Sequence, residues 1–364
     1  MANPNREGEF LLVVLRRPLS GSCKQKIVES FPSLKVKHHI IGEGECDDSV
    51  TQAVTRAVLH RVTILMTDQY LPNPDDVARL HLVHVARSGV GDLIDHPLLH
   101  RGSVTITTSS GIHGPPIAEW VAMTWLVISR KFLQQKEDQM RHRWSQESAR
   151  GCFDHVNKRV GIIGYGGVGR QVARVASALG MDVCVLTASA RPNPASRQHR
   201  GYCIPGTGDP DGTIPSTWHH GAGKIALHGF LSLGLHHLVI SVPLTERTHA
   251  LIGEEELTLL SRHAPPGPKP YITNISRGQI IDQEAMVHAL ESGQISGASL
   301  DVVYPEPLPS DHKLWELPNV YISPHASSYG VEYLQRTTDV LHENIVRLSH
   351  GELLINVFDR DKGY

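Results

Sequence analysis

The stretch GIIGYGGVGRQVARVASALGMDVCVLTASAR, residues 161–191, decides the fold of the larger part of this chain. An apolar run leads into three glycines with the spacing GxGxxG, a helical pattern follows them, and a second apolar run follows the helix. Such glycines permit a tight turn, close approach of the backbone to a pyrophosphate and close helix packing, and the helix N-terminus attracts phosphate. The pattern predicts a dinucleotide-binding unit whose phosphate-binding turn is formed by Gly164, Gly166, Gly167, Val168 and Gly169.

The end of the second apolar run is expected to contact the adenosine ribose. In NAD-binding versions of this unit, an acidic residue there accepts hydrogen bonds from the ribose hydroxyls and repels a 2′-phosphate. This chain has Thr187 instead, followed by Ser189, which can donate a hydrogen bond, and Arg191, which can pair with a phosphate. The sequence therefore favours NADPH as cofactor and leaves NADH as the alternative, since Arg191 could also be a solvated loop arginine.

Composition excludes several classes of partner. With 364 residues the chain is long enough for two domains, and 35 Lys and Arg against 37 Asp and Glu leave no basic field for nucleic acid. The apolar run FLLVVL (residues 10–15) is too short to cross a membrane, and Arg6 and Glu7 before it do not build a signal peptide. We expect a cytoplasmic protein that binds a small molecule in a cleft, with neither a nucleic acid nor a membrane as partner.

Cysteine and histidine usage predicts neither disulfides nor a metal site. The five cysteines are scattered without a CxxC pair. Several of the 23 histidines are adjacent in sequence, so that their side chains point apart in a helix or strand. We therefore expect solvated or hydrogen-bonded histidines.

The remaining patterns predict a two-domain α/β organisation. From FLLVVL to VTITTSSG (residues 104–111), apolar runs alternate with helical patterns, which is typical of a parallel sheet covered by helices. PPIAEWVAMTWLVISRKFLQQKEDQ (residues 115–139) predicts one long helix leading into the second domain, and residues 327–352 predict a helix returning to the first. Residues 192–227, here called the insertion, are rich in Gly and Pro and predict either a functional loop or a mobile segment.

Chemically active residues follow three predicted strands in the C-terminal half. Arg277 lies in ITNISRGQIID, Asp301 and Glu306 lie in ASLDVVYPEPLP, and His325 lies in VYISPHAS. Ligands of open α/β sheets bind beyond the carboxyl ends of the strands, so these side chains are expected at a common site. The set combines acids, a cation and a histidine, whose unperturbed pKa of about 6.5 suits it to proton transfer.

These segments, together with VPLTERTHALIG (residues 242–253), resemble the D-isomer-specific 2-hydroxyacid dehydrogenase family, which includes glyoxylate and hydroxypyruvate reductases. The resemblance covers nearly the whole chain. It implies an α/β fold in which a Rossmann-type dinucleotide-binding domain, residues 116–326, is inserted in a flavodoxin-like substrate domain formed by residues 1–115 and 327–364.

The resemblance also implies roles for individual residues. Arg277 would bind the substrate carboxylate and carbonyl, His325 would be the general acid, and Glu306 would orient and charge it. The backbone of Ser88, Gly89 and Val90 would bind the substrate carboxylate. Contacts with the cofactor are implied for Val242, Pro243, Thr248 and Asp301, the last of these with the nicotinamide carboxamide. Two departures from the family pattern, Gly91 in place of an acid and His113 in place of an asparagine, lie where the resemblance implies contacts with the substrate side chain.

The expected reaction is the NADPH-dependent reduction of a 2-oxo acid to a D-2-hydroxy acid, by a homodimer formed through the long helices of the dinucleotide domain. One alternative is an NADH-preferring dehydrogenase of the same family. The other is a cofactor-sensing scaffold like the transcriptional corepressors that share this fold.

Overall fold

The computed structural model describes residues 8–42 and 44–360, apart from the side chain of Asp92. The chain divides into two compact units. Unit 1 comprises the described parts of Met1–Ile112, Gly201–Ile204 and Gly330–Tyr364, and unit 2 comprises His113–Arg200 and Pro205–Tyr329. The larger unit thus begins at His113 and ends at Tyr329, where the sequence suggested residues 116 and 326. Residues 201–204 of the insertion belong to the smaller unit.

Unit 1 contains one parallel sheet with the strand order β2-β1-β3-β4-β5, which is the flavodoxin-like order. Its strands are β1 (Phe10–Leu15), β2 (Lys35–Ile40), β3 (Ile64–Thr67), β4 (Leu82–Val85) and β5 (Thr105–Thr108). Its helices are α1 (Gly21–Ser30), α2 (Asp47–Val54), α3 (Arg56–Leu59), α4 (Pro97–His100) and the last helix of the chain, Tyr333–His350. The predicted flavodoxin-like architecture of this region is confirmed.

The sequence of β1 explains why unit 1 has helices on both faces of its sheet. All six residues of FLLVVL are buried, as expected for a parallel strand covered on both sides. Leu12 and Val14 pack into one apolar cluster, whereas Leu11 and Val13 pack into a second one that includes Leu341 of the last helix.

Unit 2 contains a parallel sheet of seven strands. In chain order these are β6 (Arg159–Ile163), β7 (Asp182–Thr187), β8 (Thr217–His220), β9 (His237–Ile240), β10 (Tyr271–Asn274), β11 (Gly297–Leu300) and β12 (Val320–Ile322). The spatial order is β12-β11-β10-β9-β6-β7-β8, in which the direction of strand addition reverses next to β6. This is the Rossmann arrangement, and it places the ligand crevice at the carboxyl end of β6.

Seven helices surround this sheet: α5 (Gly114–Ser129), α6 (Phe132–Met140), α7 (Gly167–Ala178), α8 (Pro194–Arg197), α9 (Lys224–Leu231), α10 (Glu254–Arg262) and α11 (Gln283–Glu291). The helix Tyr333–His350 is therefore α12. Short 3₁₀ turns occur at Pro74–Asp76, Gly91–Leu93, Glu147–Ala149, Gly278–Ile280 and Lys313–Trp315. One face of the sheet is covered by α5 and α7, whose apolar side chains share a cluster with Val160 and Ile162 of β6.

One prediction about local structure was wrong. The expected single helix over residues 115–139 is interrupted, because Lys131 adopts the left-handed conformation with φ 51° between α5 and α6. The insertion also contains more regular structure than its composition indicated. Its residues 217–220 form β8, which pairs with β7 at the edge of the sheet.

No helix in the described ranges is both long enough and apolar enough to cross a membrane.

Candidate active site

The sequence-predicted residues of unit 2 lie along one edge of its sheet. His325 follows β12, Asp301 follows β11, Arg277 follows β10, Val242 follows β9, Gly164 follows β6, and Thr187 ends β7. Because all pairs of strands are parallel, these positions share the carboxyl edge. The fold thus brings together the predicted phosphate-binding turn and the predicted catalytic segments, which are more than a hundred residues apart in sequence.

The glycine-rich turn has the close contacts that its spacing predicts. Gly164 has φ +94°, and a Cβ atom there would lie 2.3 Å from the carbonyl oxygen of Ser241. A Cβ on Gly169 would lie 2.2 Å from the carbonyl oxygen of Gly164. At Gly166, the N-cap of α7, a Cβ would meet open space, so the backbone of the turn is accessible from outside. The turn therefore fits a bound pyrophosphate, which would lie at the N-terminus of α7.

Asp209 of the insertion anchors this turn, a contact that the sequence did not predict. Its side chain is 4% exposed and accepts hydrogen bonds from the hydroxyl of Tyr165 (2.7 Å) and from the backbone amides of Thr213 (3.0 Å) and Ile214 (3.1 Å). Burial, followed by the contact with Asp209, raises the pKa of the Tyr165 hydroxyl, so the hydroxyl remains a donor. The insertion is thereby attached to the residue between the first two glycines of the turn.

A second set of contacts attaches the insertion to α7. The buried guanidinium of Arg170 donates to the backbone carbonyls of Asp209 and Arg197 and lies over the ring of Tyr165. Gln171 accepts a hydrogen bond from the backbone amide of Gly208. No local pattern could have indicated these contacts, since they join residues that are 27 to 44 positions apart.

The adenosine end of the turn is organised by the insertion as well. The hydroxyl of Thr187 donates to the carbonyl oxygens of Ser189 (2.8 Å) and His219 (3.3 Å). Nη1 of Arg191 donates to the carbonyl of Ser196 at 2.7 Å. Arg197 donates to the carbonyl of Arg191 at 3.0 Å and lies over the ring of Trp218. The three residues predicted to select the cofactor thus form one ordered segment at the end of β7.

His325 and Glu306 form a pair. Nδ1 of His325 lies 3.0 Å from Oε2 of Glu306, and both side chains are partly exposed, at 44% and 38%. The other carboxylate oxygen of Glu306 accepts a hydrogen bond from the backbone amide of Val303 at 3.2 Å. A carboxylate that binds one imidazole nitrogen orients the ring and directs the other nitrogen outward. This geometry is suited to proton transfer from Nε2.

Asp301 organises the loop that carries His325. It is 3% exposed, and its Oδ1 accepts from the Ser323 hydroxyl (2.6 Å), the Ala326 amide (2.8 Å) and the Ser327 amide (3.0 Å). Its Oδ2 accepts from the Ser327 hydroxyl. These bonds fix the residues before and after His325, whose own φ is 53°. The observed contacts of Asp301 are thus with this loop, and its contact with a nicotinamide carboxamide stays a prediction.

Arg277 is exposed immediately beyond β10. Asn274 fixes its backbone, because the side-chain amide donates to the carbonyl of Arg277 at 3.0 Å and the side-chain oxygen accepts from Ser276 at 3.1 Å. Gly278 allows the segment to pass close to the segment after β11, since a Cβ there would lie 2.0 Å from the carbonyl oxygen of Val303. These contacts fix the backbone of the SRG segment, and the side chain of Arg277 is exposed on it.

The loop after β9 carries the other predicted cofactor contacts. The carbonyl of Val242 accepts a hydrogen bond from the hydroxyl of Ser276, which ties this loop to the segment of Arg277. The hydroxyl of Thr248 donates to the carbonyl of Pro243 at 2.7 Å and accepts from the amide of Thr245 at 2.8 Å. Thr248 thus stabilises its own loop, and direct contact with the cofactor stays a prediction.

The predicted carboxylate-binding loop, Ser88, Gly89 and Val90, lies in unit 1. It follows the carboxyl end of β4, with Ser88 exposed and Val90 buried. Gly91, where the family pattern has an acid, has φ 52°, a conformation that favours glycine. His113, the other departure, is 6% exposed and precedes α5 in unit 2.

Histidines outside this edge are in varied surroundings. His84 is buried between the hydroxyls of Thr107 and Ser109, and burial lowers its pKa to about 3. Potential ligand atoms of His228, Glu255 and Glu256 lie within 4.8 Å of one another. The ammonium of Lys224 lies 2.9 Å from Glu255 and 3.6 Å from Glu256, so a cation already contacts both carboxylates.

Comparison with protein families identifies the chain. The family model described as "D-isomer specific 2-hydroxyacid dehydrogenase, NAD binding domain" matches residues 122–203 and 224–327, just over half of the chain. The unmatched residues between these ranges, 204–223, include Asp209. Among curated proteins, a glyoxylate reductase from Korarchaeum cryptofilum is 28% identical over 282 residues, 76% of either chain. A D-3-phosphoglycerate dehydrogenase from Methanocaldococcus jannaschii is 28% identical over 75% of this chain and 47% of its own length.

Solved structures share the complete fold. A D-isomer-specific 2-hydroxyacid dehydrogenase from Xanthobacter autotrophicus, in complex with NADPH and MES, matches with a TM-score of 0.69 and 26% identity over 97% of this chain and 99% of its own. An NADPH-dependent glyoxylate/hydroxypyruvate reductase from Sinorhizobium meliloti, in complex with NADP and sulfate, matches with a TM-score of 0.73 and 23% identity over 98% and 100%. The chain therefore belongs to the D-isomer-specific 2-hydroxyacid dehydrogenase family and is an NAD(P)-dependent 2-hydroxyacid dehydrogenase.

Proposed function

We propose that this protein reduces a small 2-oxo acid to the D-2-hydroxy acid with NADPH, and that His325 is the proton donor. The observation that carries the proposal is the 3.0 Å contact between His325 and Glu306 at the sheet edge that also carries Arg277 and the glycine-rich turn. Reduction of the carbonyl places negative charge on its oxygen, so a positioned donor lowers the barrier.

His325 delivers the proton and Glu306 orients it. With Nδ1 bonded to Glu306, the proton that moves is the one on Nε2, and it passes to the carbonyl oxygen. The contact with the carboxylate holds the imidazole in one orientation during the transfer. Asp301 keeps the imidazole in place through the loop it organises.

Arg277 supplies the fixed positive charge. Its guanidinium can bind the substrate carboxylate and polarise the carbonyl. We assign the backbone amides of Ser88, Gly89 and Val90 to the substrate carboxylate as well. The relatives named glyoxylate reductases support a small oxo acid as the first substrate to test, and Gly91 and His113 mark where specificity can differ.

The cofactor supplies the hydride. Gly164, Gly166, Gly167, Val168 and Gly169 would hold its pyrophosphate, with Val242, Pro243 and Thr248 along the cleft. We favour NADPH because Thr187 places no carboxylate at the end of β7 and because Ser189 and Arg191 follow it. The solved relatives include complexes with NADPH or NADP and a complex with NAD, so the preference for NADPH rests on the residues of this chain.

We also propose a cytoplasmic homodimer formed through α5 and α6. Large apolar side chains are exposed along these helices: Met123 42%, Leu126 41%, Phe132 55%, Leu133 59% and Met140 73%. Exposed apolar surface of this extent favours association with a partner. Light scattering should report a dimer for the wild-type chain and a monomer for Leu126→Glu combined with Leu133→Glu. A wild-type monomer would refute this assignment.

The reaction is tested by following NADPH oxidation with glyoxylate, hydroxypyruvate, pyruvate and phenylpyruvate. Turnover with at least one oxo acid, with a higher kcat/KM for NADPH than for NADH, is the expected result. If NADPH binds but no member of a broad oxo-acid panel is reduced, the proposal fails and a cofactor-sensing scaffold becomes the better description.

A further inference from the structure

Unit 2 contains a cavity at the edge of its sheet opposite the site described above. Residues that precede or begin the strands line it: Lys158 before β6, His237 at the start of β9, Lys269 before β10 and Tyr271 at its start. The cavity has a volume of about 260 Å³. Since the glycine-rich turn and Arg277 lie beyond the carboxyl ends of the same strands, this cavity is separated from them by the length of the sheet.

The walls of this cavity combine aromatic rings with positive charge. Trp125, Phe153 and Tyr271 supply the rings, and the three charged residues that line it are all lysines: Lys131, Lys158 and Lys269. No aspartate or glutamate lines it, and none of the three lysines forms an ion pair with a carboxylate in the part of the chain that the structure describes. The ammonium of Lys158 lies 5.4 Å from the centroid of Phe153. A positive cavity with apolar walls attracts organic anions.

A buried histidine in this cavity has unused hydrogen-bonding capacity. His237 is 4% exposed, and its ring lies 4.8 Å from that of Trp125 and 6.0 Å from that of Tyr271. Among the described residues its Nδ1 has no hydrogen-bond partner. Burial, strengthened by the nearby His155, lowers the pKa of His237 well below its usual value. The neutral ring is thus available to accept or donate one hydrogen bond, and a buried polar atom without a partner is costly.

We propose that this cavity is a second ligand site, which binds a small organic carboxylate with an apolar or aromatic body. The rings of the aromatic residues and of His237 enclose the apolar body, and the lysine ammonium groups balance the carboxylate. The volume is below the range typical of drug-sized ligands, so the ligand is the size of a single ring or a short branched chain. Binding of this ligand in the cavity does not depend on the reaction proposed for the opposite edge of the sheet.

Benzoate is the probe, and titration calorimetry measures its binding. Because benzoate can also bind at the reaction site, the Arg277→Ala protein provides the reference and is expected to retain binding in the cavity. Lys158→Gln and Lys131→Gln should each weaken binding about fivefold or more, while Lys136→Gln, an exposed lysine of α6 outside the cavity, should leave it unchanged. The neutral benzamide should bind at least fivefold more weakly than benzoate.

Several results would overturn this proposal. Binding that is lost in Arg277→Ala, or that is insensitive to both cavity lysines, would place benzoate elsewhere. Displacement of benzoate by inorganic phosphate at equal concentration would show anion binding without recognition of the apolar body. Light scattering on the same samples is required, because weaker binding together with a changed oligomeric state would assign the lysines to contacts between copies. Unchanged NADPH oxidation by Lys158→Gln and Lys131→Gln would confirm that both variants fold.

Discussion

The proposed catalytic segments and the insertion lie at the same edge of the Rossmann sheet, but the first are held by local contacts and the second by contacts between residues far apart in sequence. Arg277, Asp301 and His325 each follow a strand of their own, and short contacts within neighbouring loops hold them. The insertion contacts the glycine-rich turn through Asp209, whose partner Tyr165 is 44 positions away in sequence. The difference shows that the residues at the strand ends are held by local contacts, whereas Asp209, which lies outside the residues matched by the family model, contacts the glycine-rich turn from a distant part of the sequence.

The largest expected effect is from Arg277→Ala, which removes the fixed cation of the proposed reaction. We expect kcat/KM for the oxo acid to fall by about 10³-fold or more, with NADPH affinity unchanged, because electrostatic stabilisation of the transition state is lost. Steady-state kinetics and NADPH titration measure the two quantities, with the exposed Arg262→Ala as control. Full residual turnover would remove Arg277 from the mechanism.

His325→Ala should lower kcat by about 10²- to 10⁴-fold, since a positioned proton donor contributes that much. Glu306→Gln should lower it less, because an amide can still bond to the imidazole but cannot balance its charge. Rates for both variants across pH 5 to 9, with NADPH saturating, test the pair. An unchanged rate and pH profile in His325→Ala would refute the proton-donor role.

Asp301→Ala should damage the site through the loop that it organises. The Ser323 and Ser327 hydroxyls and the Ala326 and Ser327 amides would lose their acceptor. Each unsatisfied buried donor costs about 1–3 kcal/mol. We expect a lower Tm and about a 10- to 100-fold lower kcat, measured by thermal unfolding and kinetics. If kcat stayed at the wild-type level, the loop would not depend on Asp301.

Asp209→Ala tests whether the insertion braces the cofactor turn. Loss of the Tyr165, Thr213 and Ile214 contacts should raise KM for NADPH about tenfold and lower Tm, with little change in kcat, because the hydride-accepting side is intact. The exposed Asp211→Ala in the same insertion is the matched control. Equal effects on KM and kcat, or no effect on KM, would show that Asp209 contributes to the stability of the fold and not specifically to NADPH binding.

The smallest expected effect is from Arg191→Ala. It should reduce the ratio of kcat/KM for NADPH to that for NADH by several-fold up to about tenfold, as loss of one exposed phosphate contact does. Arg200→Ala, an exposed arginine of the same insertion, should leave the ratio unchanged. An unchanged ratio in Arg191→Ala would remove Arg191 from cofactor selection, while the reaction itself would remain as proposed.

The sequence predicted the two sheets and the edge that carries the site because periodicity, glycine spacing and strand-end residues are local signals. It failed where conformation depends on distant contacts. The helix is interrupted at Lys131 although no Gly or Pro lies in the helical pattern around it. The strand Thr217–His220 forms because it pairs with β7. Asp209 lies in a Gly- and Pro-rich stretch that predicts only turns, so its burial could not be anticipated.

By itself, the sequence determined the family, the Rossmann and flavodoxin-like architectures and the residues at the strand ends. The shared position of these residues follows from the architecture, because the carboxyl ends of parallel strands lie at a common edge of the sheet. Only the tertiary structure decided that Asp301 holds the loop of His325, that the insertion braces the glycine-rich turn, and that lysines and a buried histidine meet at the opposite edge. Such contacts join residues far apart in sequence, and burial decides which of their polar groups must find partners.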